Sequence, residues 1–541
     1  MSQIHELAAF KPFPPERAKV GLDQKVTQSL DILTMHTDLS ILGDYAANAN
    51  FSIDGMRQGV IPRLSPFDLP HLPEGATLVR IPKEKIEQLQ EERSYDLIRW
   101  NTPDRFLFRL KLGQEEFVPP VPGRSRVMDD LHSKGKVVSF SDLKIEAPEP
   151  VNGRKSRKRI DQGIEANIMG QGRIPFALGS VPDVGSELAY ITTAMANGMV
   201  FVSRDKLLSD PDQQATVVRN VINYLKSVQL PEELKPNDEQ LSEFTQIIGL
   251  TEPLTDTNED EVREKYYKAL RGSWVANVGA AIEADAQGDN GSKALDRAQK
   301  LYDAGCRMFR IYSPEGGMEI VDTAKALRKM FAEDSSVKII GGQIMDAKTA
   351  LKAEHAGCDA LFIGVAGGSQ CTTSVNANIP VNTPNLLYEL RRGEISIPVG
   401  IEGGGVGEDI NTAFVLGASF VSKPGELGRS WEGLGGEYVF EGVDEEYYMV
   451  YGGEASVSAK WFKDSIDRVG RPQYVEGETG VRKLDKDKMS MTGAIARLRG
   501  QLAIGLVFQR AESIAELHTR TADNIAFATT SASEKSQAYA K

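Results

Sequence analysis

The sequence predicts an α/β fold: a (β/α)8 TIM barrel with an N-terminal accessory region and a long flap-like insertion after the last strand. From about residue 170 onward, short apolar runs that end in glycine-rich turns alternate with amphipathic helical stretches. About eight runs are apolar nearly throughout, as strands buried on both faces must be. Repeated βα units of this number favour a closed barrel. A doubly wound sheet is the main alternative, but no G-x-G-x-x-G follows the first strand, as that fold's nucleotide fingerprint would require.

The predicted strands and helices follow one another in a regular order. The strand-like runs are residues 174–179, 198–203, 274–279, 307–312, 337–342, 360–364, 397–402 and 418–422. The helical patterns between them are residues 187–197, 292–304, 318–331, 346–356 and 408–416. A strand followed by a helical pattern is the unit from which parallel sheets are built.

Residues 1–135 are predicted to form an accessory region of unknown role. Proline-rich patches surround one helical stretch, residues 82–99, in which Pro82 suits the first helical position. Residues 105–112 largely alternate apolar and basic side chains with a period of two, which predicts a half-buried strand. We therefore expect a small accessory or oligomerisation region ahead of a barrel domain that spans residues 136–525.

Three segments depart from the βα alternation. Residues 229–270 are acidic and polar and contain three prolines, so we expect a helical excursion or a mobile insertion. Residues 430–490 follow the eighth strand and are rich in Gly, Tyr and Glu. Long loops at the carboxyl ends of barrel strands usually carry function, so this segment is the predicted flap region. Residues 526–541 are predicted to form a disordered tail.

Composition and charge exclude several classes of protein. The 541 residues include 63 Lys and Arg against 76 Asp and Glu, and a net charge of −13 argues against a nucleic-acid-coating surface. The sequence contains no run of about 18 apolar residues, so it predicts no membrane span. The first twenty residues lack the charged segment followed by an apolar segment that is typical of a signal peptide. The 3 cysteines have no metal-ligand spacing and cannot all pair, which suggests a reducing compartment. We expect a soluble, cytoplasmic protein.

The sharpest chemical feature is the glycine-rich loop at residues 367–373, directly after a buried strand. Glycines let the backbone approach a ligand closely, and the N–H groups of such a loop can receive an anion. Cys371 would lie at the catalytic face of the barrel, where a neighbouring dipole can lower its pKa and make it a nucleophile. The alternative is a cysteine that only packs in a tight loop, which is the usual role of a lone cysteine.

A second glycine-rich loop, residues 400–407, follows the next strand. Barrels often hold a phosphate at the loops after strands 7 and 8. Glu402 could accept hydrogen bonds from sugar hydroxyls, and Lys423 could complete an anion site as a point charge. Lys423 could equally be solvated.

The order of these motifs resembles the IMP dehydrogenase/GMP reductase family over roughly residues 136–525. Residues 368–373 read G-S-Q-C-T-T, where the family reads approximately G-S-x-C-T-T at its nucleophile loop. The other matches are the start of the barrel at 139–148 (family T-F-D-D-V-L-L-V-P), I-E-G-G-G at 401–405 (A-D-G-G-I), Y-G-G-E-A-S at 451–456 (Y-x-G-x-x-S), V-E-G at 475–477 (P-E-G) and a C-terminal helix at 492–509.

The resemblance implies covalent chemistry on a purine nucleotide, with the Cys371 thiolate attacking C2. In the dehydrogenase direction hydride leaves C2 for NAD and water hydrolyses the thioimidate; in the reductase direction C2 loses ammonia and receives hydride from NADPH. Thr373 and Glu476 match the pair that activates water or ammonia. The adjacent Arg-Tyr of the dehydrogenase flap has its nearest equivalents in Arg471 and Tyr474, which two residues separate.

The resemblance also implies binding positions and an assembly. The substrate-binding positions would be Ser180 beside the base, Glu402 at the ribose, and Ser369, Gly403, Gly404, Lys423, Gly425, Tyr451 and Glu454. The positions facing NAD or NADP would be Tyr312, Ser313 and Gly364, and carbonyls near Gly368 and Cys371 would match a potassium site. Relatives are usually tetramers, so we expect a homo-oligomer, a tetramer or octamer.

Several departures from the family pattern leave alternatives open. Glu402 replaces an Asp, Pro424-Gly425 replaces a Gly-Ser pair, and Tyr312 replaces the Asp that faces the dinucleotide. Residues 229–270 are too few for the paired CBS modules usual in the dehydrogenases, and the long N-terminal region is foreign to the family. A nucleotide-binding or assembly protein of the same fold, without hydride chemistry, is therefore the second interpretation. Another phosphate-binding barrel, such as a flavin-dependent oxygenase, is the third.

Overall fold

Eight parallel strands close into a barrel whose order around the axis follows their order along the chain. The structure is a computed structural model. It describes residues 77–80, 94–146, 148, 160, 162–180, 186–203, 210–250, 254–255, 257–284, 292–313, 316–365, 371, 382–393, 395–402, 409–430, 432–433, 438–441, 446–452, 479–484, 490–520 and 525–527.

The strands of the described residues are numbered here in chain order. They are β1 (Thr77–Arg80), β2 (Leu143–Ile145), β3 (Ala166–Ile168), β4 (Gln171–Arg173), β5 (Phe176–Leu178), β6 (Met199–Val202), β7 (Val278–Glu283), β8 (Met308–Tyr312), β9 (Lys338–Ile344), β10 (Ala360–Ile363), β11 (Val399–Glu402), β12 (Phe420–Ser422), β13 (Tyr438–Glu441), β14 (Tyr447–Gly452), β15 (Thr479–Lys483) and β16 (Ile525–Phe527). Strands β5 to β12 form the barrel, and β12 pairs with β5 to close it.

The α-helices are numbered in the same way. They are α1 (Pro103–Gln114), α2 (Arg126–Ser133), α3 (Glu187–Met195), α4 (Pro211–Ser227), α5 (Asp238–Ile247), α6 (Glu259–Val275), α7 (Ser292–Asp303), α8 (Glu319–Met330), α9 (Ala347–His355), α10 (Thr383–Arg392), α11 (Ile410–Leu416), α12 (Pro424–Leu427), α13 (Met491–Phe508) and α14 (Ile514–His518). Residues 94–100 are also helical. No helix among the described residues is both long and apolar enough to cross a membrane.

The predicted barrel is confirmed, and the doubly wound alternative is wrong because the sheet closes. All eight predicted strand runs coincide with or overlap a barrel strand. The third run is displaced, because Trp274 and Val275 end helix α6 and strand β7 begins at Val278. The indole of Trp274 is buried, and its Nε1–H donates to Asn101 Oδ1 at 3.2 Å, so the ring packs as part of a helix.

The strand predicted at residues 105–112 is wrong, because these residues lie in helix α1. Pro103 occupies the first turn, and Phe106, Leu107 and Arg109 are buried on one side, which is helical rather than alternating spacing. Arg109 fits the alternating pattern as an exposed basic residue, but its guanidinium is buried in the structure. It donates to Trp100 O at 2.6 Å and to Asn101 Oδ1 at 2.7 Å. Of the helix predicted at 82–99, only its last residues, from 94 onward, fall within the described chain.

The barrel interior is filled by alternate residues of the strands. Met308 of β8, Phe362 of β10 and Phe420 of β12 belong to one inner cluster, while their strand neighbours pack outward against the helices. The rings of Phe362 and Phe420 meet edge to face, with centroids 5.0 Å apart. The hairpin β3–β4 adds Ile168 and Met169 to this cluster. The amino end of the barrel is therefore closed by side chains, and ligands are left with the carboxyl end.

Buried charges join the described part of the N-terminal region to the barrel domain. Glu165, whose side chain is 1% exposed, lies between Arg109 of α1 and Arg499 of α13, at 3.8 and 3.6 Å from their guanidinium nitrogens. Burial lowers the pKa of both arginines, and Glu165 opposes that shift. Residues from 97 to 131 also belong to the main hydrophobic core. In the described chain, residues 94–135 thus pack as part of the barrel's outer layer; the role assigned to residues 1–135 stays a prediction.

Two small sheets connect distant segments of the chain. Strand β1, from the N-terminal region, pairs antiparallel with β13, and β14 and β15 continue that sheet in the segment predicted as the flap. Strand β16 pairs antiparallel with β2. Residues 526 and 527 of the predicted tail lie in this strand, and residues 528–541 lie outside the described chain.

The acidic segment 229–270 is helical where it is described. It contains a 3-10 turn at Glu232–Leu234, helix α5 and most of helix α6. Phe244 and Tyr266 pack edge to face with centroids 5.4 Å apart. The segment lies between strands β6 and β7 and packs on α1 and α4.

We predict that Glu165→Gln destabilises the folded protein by about 3–5 kcal/mol, because it leaves Arg109 and Arg499 buried without a compensating carboxylate. A shift of the urea unfolding midpoint measures the change. Asp130→Asn is the matched control, because the Asp130–Lys134 pair is more than half exposed and is worth less than about 1 kcal/mol. Equal midpoints for the two variants would contradict a structural role for the buried cluster.

Candidate functional site

The described candidate residues follow the carboxyl ends of the barrel strands. Tyr312 and Glu402 end β8 and β11, while Ser180, Gly364 and Lys423 follow β5, β10 and β12 within two residues. Carboxyl ends of parallel strands meet at one end of a barrel, which is where barrel enzymes carry their active sites. The structure therefore brings these five positions to one mouth, opposite the end closed by the hairpin β3–β4.

The remaining candidate positions fall largely outside the described residues. Those outside are Gly368, Ser369, Thr373, Gly403, Gly404, Glu454, Arg471, Tyr474 and Glu476. Tyr451 lies in strand β14, and only its backbone is described. The assignments made for these positions stay predictions.

Among the described residues at the mouth, Glu402 and Arg310 form a buried ion pair. Nη1 of Arg310 donates to Glu402 Oε1 at 2.8 Å, and Nη2 donates to Glu402 Oε2. Nη1 also donates to the hydroxyl of Ser180 at 3.3 Å. The arginine side chain is fully buried and the glutamate side chain is 13% exposed. A bidentate pair of this kind fixes the carboxylate in one orientation.

Arg310 lies on the inner face of the barrel because residues two apart on a strand share a face. Met308 is in the inner cluster, whereas Phe309 and Ile311 pack outward. The Arg310 guanidinium carbon lies 4.7 Å from the centroid of the Phe362 ring and 5.3 Å from that of Tyr312. The Arg310 side chain therefore lies between the aromatic side chains of the barrel interior and the carboxyl end of the barrel.

Small side chains beside Glu402 let it reach this position. A Cβ on Gly179 would come within 3.3 Å of Glu402 Oε1 and 2.6 Å of the Ser422 hydroxyl oxygen. The Ser422 oxygen is buried and has no hydrogen-bond partner among the described residues. Its position beside Gly179 and Glu402 makes it a candidate ligand contact that the sequence analysis did not single out.

Gly364 has a backbone reason to be glycine. Its φ of +102° is in the region that side chains disfavour, and a Cβ there would lie 2.8 Å from the carbonyl oxygen of Glu402. Gly364 was predicted to face the cofactor. The structure gives it a separate role, since it lets β10 end against the backbone of β11.

The loop after β8 turns the Ser313 hydroxyl toward its own backbone and helix α8. Ser313 is buried, and its hydroxyl donates to Glu319 Oε1 and accepts from the N–H of Gly316 at 3.2 Å. The Glu319 carboxylate also accepts from the N–H of Gly317 at 2.9 Å. Tyr312 is half-buried at the strand end. At position 312 the chain therefore has an aromatic ring, whereas the family pattern described above has an aspartate.

Lys423 is buried and ion-paired, so the solvated alternative is wrong. Its ammonium lies 3.3 Å from Glu426 Oε1, and Arg497 of α13 pairs with the other oxygen of that carboxylate. Burial lowers the pKa of Lys423, and Glu426 opposes the shift. Gly425 lies in the short helix α12, between Lys423 and Glu426. Lys423 and Arg497 thus share the Glu426 carboxylate, and the Asp409 carboxylate also favours the charged form of Lys423.

The three cysteines differ in their surroundings. Cys306 and Cys358 are buried, and burial raises the pKa of each thiol to about 12, which keeps both protonated at neutral pH. Cys371 is half-buried and follows β10 by eight residues. None of the three forms a disulfide in the described structure. Accessibility therefore singles out Cys371 as the candidate nucleophile among them.

Arg310 is the main residue that sequence reasoning missed. Its signal was a charged residue in a five-residue strand that is otherwise apolar or aromatic and was predicted to be buried on both faces. Such a residue needs a charged partner, and Glu402, at the end of another buried strand, was available. The pairing could not be read from spacing, because two strands separate β8 from β11 around the barrel.

Among the described residues, no group of three or more His, Cys, Asp or Glu side chains could hold a metal ion. That finding concerns side-chain ligands. The predicted potassium site rests on backbone carbonyls near Gly368 and Cys371, and it stays a prediction.

We predict that iodoacetamide modifies Cys371 first in the native protein. Cys306 and Cys358 react only after unfolding, because burial holds them as neutral thiols. Peptide mapping by mass spectrometry identifies the site, and the urea-unfolded protein, with three modified thiols, is the control. Early labelling of Cys306 or Cys358 would contradict the burial described here.

We predict that Gly364→Ala lowers the free energy of unfolding by at least about 1–3 kcal/mol, because it strains a left-handed residue against the Glu402 backbone. Gly272→Ala is the matched control. Gly272 lies in helix α6, where a Cβ would meet no atom within 4 Å, so we expect a gain of up to about 1 kcal/mol. Denaturant melts of both variants test the pair, and opposite signs are expected.

Comparisons with known proteins agree with this arrangement. Residues 173–539 match the family model described as the IMP dehydrogenase / GMP reductase domain. Over 270 residues the chain is 28% identical to the inosine-5'-monophosphate dehydrogenase of Aquifex aeolicus, covering 48% of this chain and 51% of that protein. Over 242 residues it is 27% identical to the enzyme of the same name from Staphylococcus aureus, covering 42% of this chain and 46% of that protein. The chain thus spans about half the length of these curated relatives. Because the family model covers more than half of the chain, this protein belongs to the IMP dehydrogenase / GMP reductase family.

Proposed function

We propose that the protein is an oxidoreductase that acts at C2 of a purine nucleotide through a covalent thioimidate on Cys371, with NAD or NADP as the hydride partner. The observation that carries the proposal is the position of Cys371. It is the half-buried thiol in a chain whose other two cysteines are buried, and it lies in G-S-Q-C-T-T after a barrel strand. The curated relatives named above are inosine-5'-monophosphate dehydrogenases, which supports the same substrate class.

The chemistry assigned to Cys371 is addition of its sulfur to an electron-poor carbon. The thiol gives up its proton, the S–C2 bond forms, and the electron pair of the C2–N3 double bond moves to N3. The tetrahedral carbon would then lose either hydride, which the oxidised nicotinamide cofactor would accept, or ammonia, once the amino group has taken up a proton, and become a thioimidate. In the dehydrogenase direction water attacks C2 and releases the thiol. In the reductase direction C2 receives hydride, and the C–S bond breaks. Thr373 and Glu476 are the proposed pair that activates water or ammonia.

The mouth of the barrel supports binding of a sugar phosphate. Glu402 accepts hydrogen bonds, and Arg310 balances its charge, so an anionic phosphate nearby is not repelled by a lone carboxylate. The buried ammonium of Lys423 lies directly after β12 and supplies a positive charge at this end of the barrel. The proposed phosphate contacts are Ser369, Gly404, Gly425 and Tyr451, with Gly403 and Glu454 near them.

The fit to a nicotinamide cofactor is partial. The half-buried Tyr312 ring offers a stacking surface at the strand end, whereas the Ser313 hydroxyl is engaged by Glu319 and Gly316. When bound, the cofactor supplies hydride transfer to or from C2. Tyr312 and Gly364 are the residues proposed to border it, and the choice between NAD and NADP belongs to this proposal, as does the potassium site.

The same loop favours a second candidate function, a nucleotide-binding or assembly protein without hydride chemistry. The family's acid that faces the dinucleotide is replaced by Tyr312, and Arg471 and Tyr474 are separated in sequence. Such a protein would keep the nucleotide pocket and lose turnover. We also propose a cytoplasmic location, supported by the absence of a disulfide among the three described cysteines, and a homo-oligomer, which the family resemblance implies.

We predict turnover of IMP with NAD, or of GMP with NADPH, followed at 340 nm with reduced protein and potassium present. Cys371→Ser should lower kcat/KM by a factor on the order of a thousand or more, because a hydroxyl is a poorer nucleophile than a thiolate. Cys358→Ala is the control and should retain activity within about twofold, because its thiol is buried. Absence of turnover in both directions would rule out the two standard activities.

A 6-halopurine nucleotide separates the two candidate functions. We predict a single covalent adduct by intact mass, absent from Cys371→Ser and present in Cys358→Ala, if Cys371 is the nucleophile. Tight, reversible nucleotide binding with no adduct and no cofactor binding would favour the second function.

A further inference from the structure

Glu432 is a fully buried carboxylate to which the proposed chemistry gives no role. It lies shortly after helix α12, at the carboxyl end of the barrel, and is 0% exposed. A buried carboxylate is stable only where hydrogen-bond donors or positive charge compensate for the loss of water. The groups that contact Glu432 therefore show which parts of the chain it joins.

The carboxylate of Glu432 contacts the first turn of helix α13. The backbone N–H of Met491, the first residue of that helix, donates to Glu432 Oε2 at 3.0 Å. The first N–H groups of a helix have no partner inside it, and its N-terminus carries a partial positive charge. The Ser490 hydroxyl accepts from another of these groups, the N–H of Gly493, at 3.1 Å. Glu432 thus supplies a second cap to α13, from a distant segment of the chain.

The backbone of Glu432 contacts a third segment, the start of helix α3. The Ser186 hydroxyl donates to Glu432 O and, as the N-cap of that helix, accepts from the N–H of Ala189 at 3.0 Å. The side chain of Met491 contacts the same helix, because Thr193 Oγ1 donates to Met491 Sδ at 2.9 Å. The chain after α12, the start of α3 and the start of α13 therefore meet at Glu432.

The hydrogen bond from Met491 to Glu432 joins the two ends of a long segment. Residues 433–490, here called the flap segment, lie between these two residues in the chain, and their described parts include the antiparallel sheet of β13, β14 and β15. The sequence places Tyr451 and Glu476, both assigned to the proposed reaction, within the flap segment. The place of both ends on the barrel therefore depends on the contacts of Glu432.

We propose that Glu432 is a positioning residue that fixes the flap segment relative to Cys371. This inference rests on the proposed function, because it takes the flap segment to activate water or ammonia at an adduct of Cys371. Cys371 itself follows strand β10, in another part of the barrel. Loss of the Glu432 carboxylate should therefore slow the steps that need the flap segment and spare the addition of the thiol to the purine.

The test separates these steps in Glu432→Ala, which keeps the backbone contact to Ser186. With saturating 6-halopurine nucleotide, the Cys371 adduct should form at a rate within about threefold of the wild type, whereas kcat should fall at least about tenfold, as expected for loss of a hydrogen bond to a charged group. Hydrogen–deuterium exchange gives a readout that does not depend on activity. Amides of β13, β14 and β15 should exchange at least about tenfold faster, while those of β7, β8 and β9 are unchanged.

Glu432→Gln is the milder variant. It keeps the shape of the side chain and an acceptor for the Met491 N–H and loses only the charge, so it should fold even if Glu432→Ala does not. The charge at the helix N-terminus is lost, and we expect the same pattern with a smaller effect, about threefold in kcat and in exchange.

Glu187→Gln is the matched control. Glu187 follows Ser186 directly, and its carboxylate accepts from the Asn220 side chain of helix α4 at 2.9 Å. A glutamine at position 187 keeps an acceptor for Asn220 and leaves the hydrogen bond between Glu432 and Met491 in place. Both kcat and the exchange of β13, β14 and β15 should therefore stay within about twofold of the wild type.

Each outcome bears on one claim. Equal losses in adduct formation and kcat, with faster exchange throughout the barrel, would show a general structural role for Glu432 and overturn the inference. Unchanged exchange of β13, β14 and β15 in both Glu432 variants would overturn it as well. A wild-type protein that forms no adduct and shows no turnover would instead overturn the proposed function, while the exchange comparison would still decide whether Glu432 holds the flap segment.

Discussion

The pairing of Arg310 with Glu402 across the barrel interior is the constraint on which the mouth depends. Removing one partner of such a buried pair typically destabilises the folded protein by about 3–5 kcal/mol. Room for the pair comes from Gly179 and Gly364, where a Cβ would approach the Glu402 side chain or backbone. The aromatic cluster below the pair fills the barrel. Packing, charge and the candidate sugar site are thereby parts of one arrangement.

A second buried cluster, Glu165 with Arg109 and Arg499, lies outside the barrel. Here too a buried carboxylate compensates buried guanidinium groups. It joins helix α1, the segment before β3 and the C-terminal helix α13. Strand β1 joins the N-terminal region to the sheet of β13, β14 and β15 in the same way. The described parts of the N-terminal region thus contact both the barrel and the segment after its last strand.

The fold could be predicted from the sequence because a continuous apolar run indicates a strand that is buried on both faces. All eight predicted runs overlap a strand of the barrel. Prediction failed where tertiary contacts decide. The alternation at 105–112 predicted a strand because the basic residues were taken as exposed. The burial of Arg109 depends on Asn101 and Glu165, which lie in other segments of the chain. The sequence did not show whether Lys423 is solvated or buried. In the structure it is buried and pairs with Glu426, which also pairs with Arg497. Arg310 was missed because its partner is 92 residues away.

The most direct test of the whole account is an experimental structure of the protein with IMP bound. We expect the Cys371 sulfur to contact C2 of the purine and Glu402, still paired with Arg310, to face the sugar hydroxyls. A nucleotide found away from the carboxyl ends of the barrel strands, or a Cys371 thiol turned into the packed core, would contradict it.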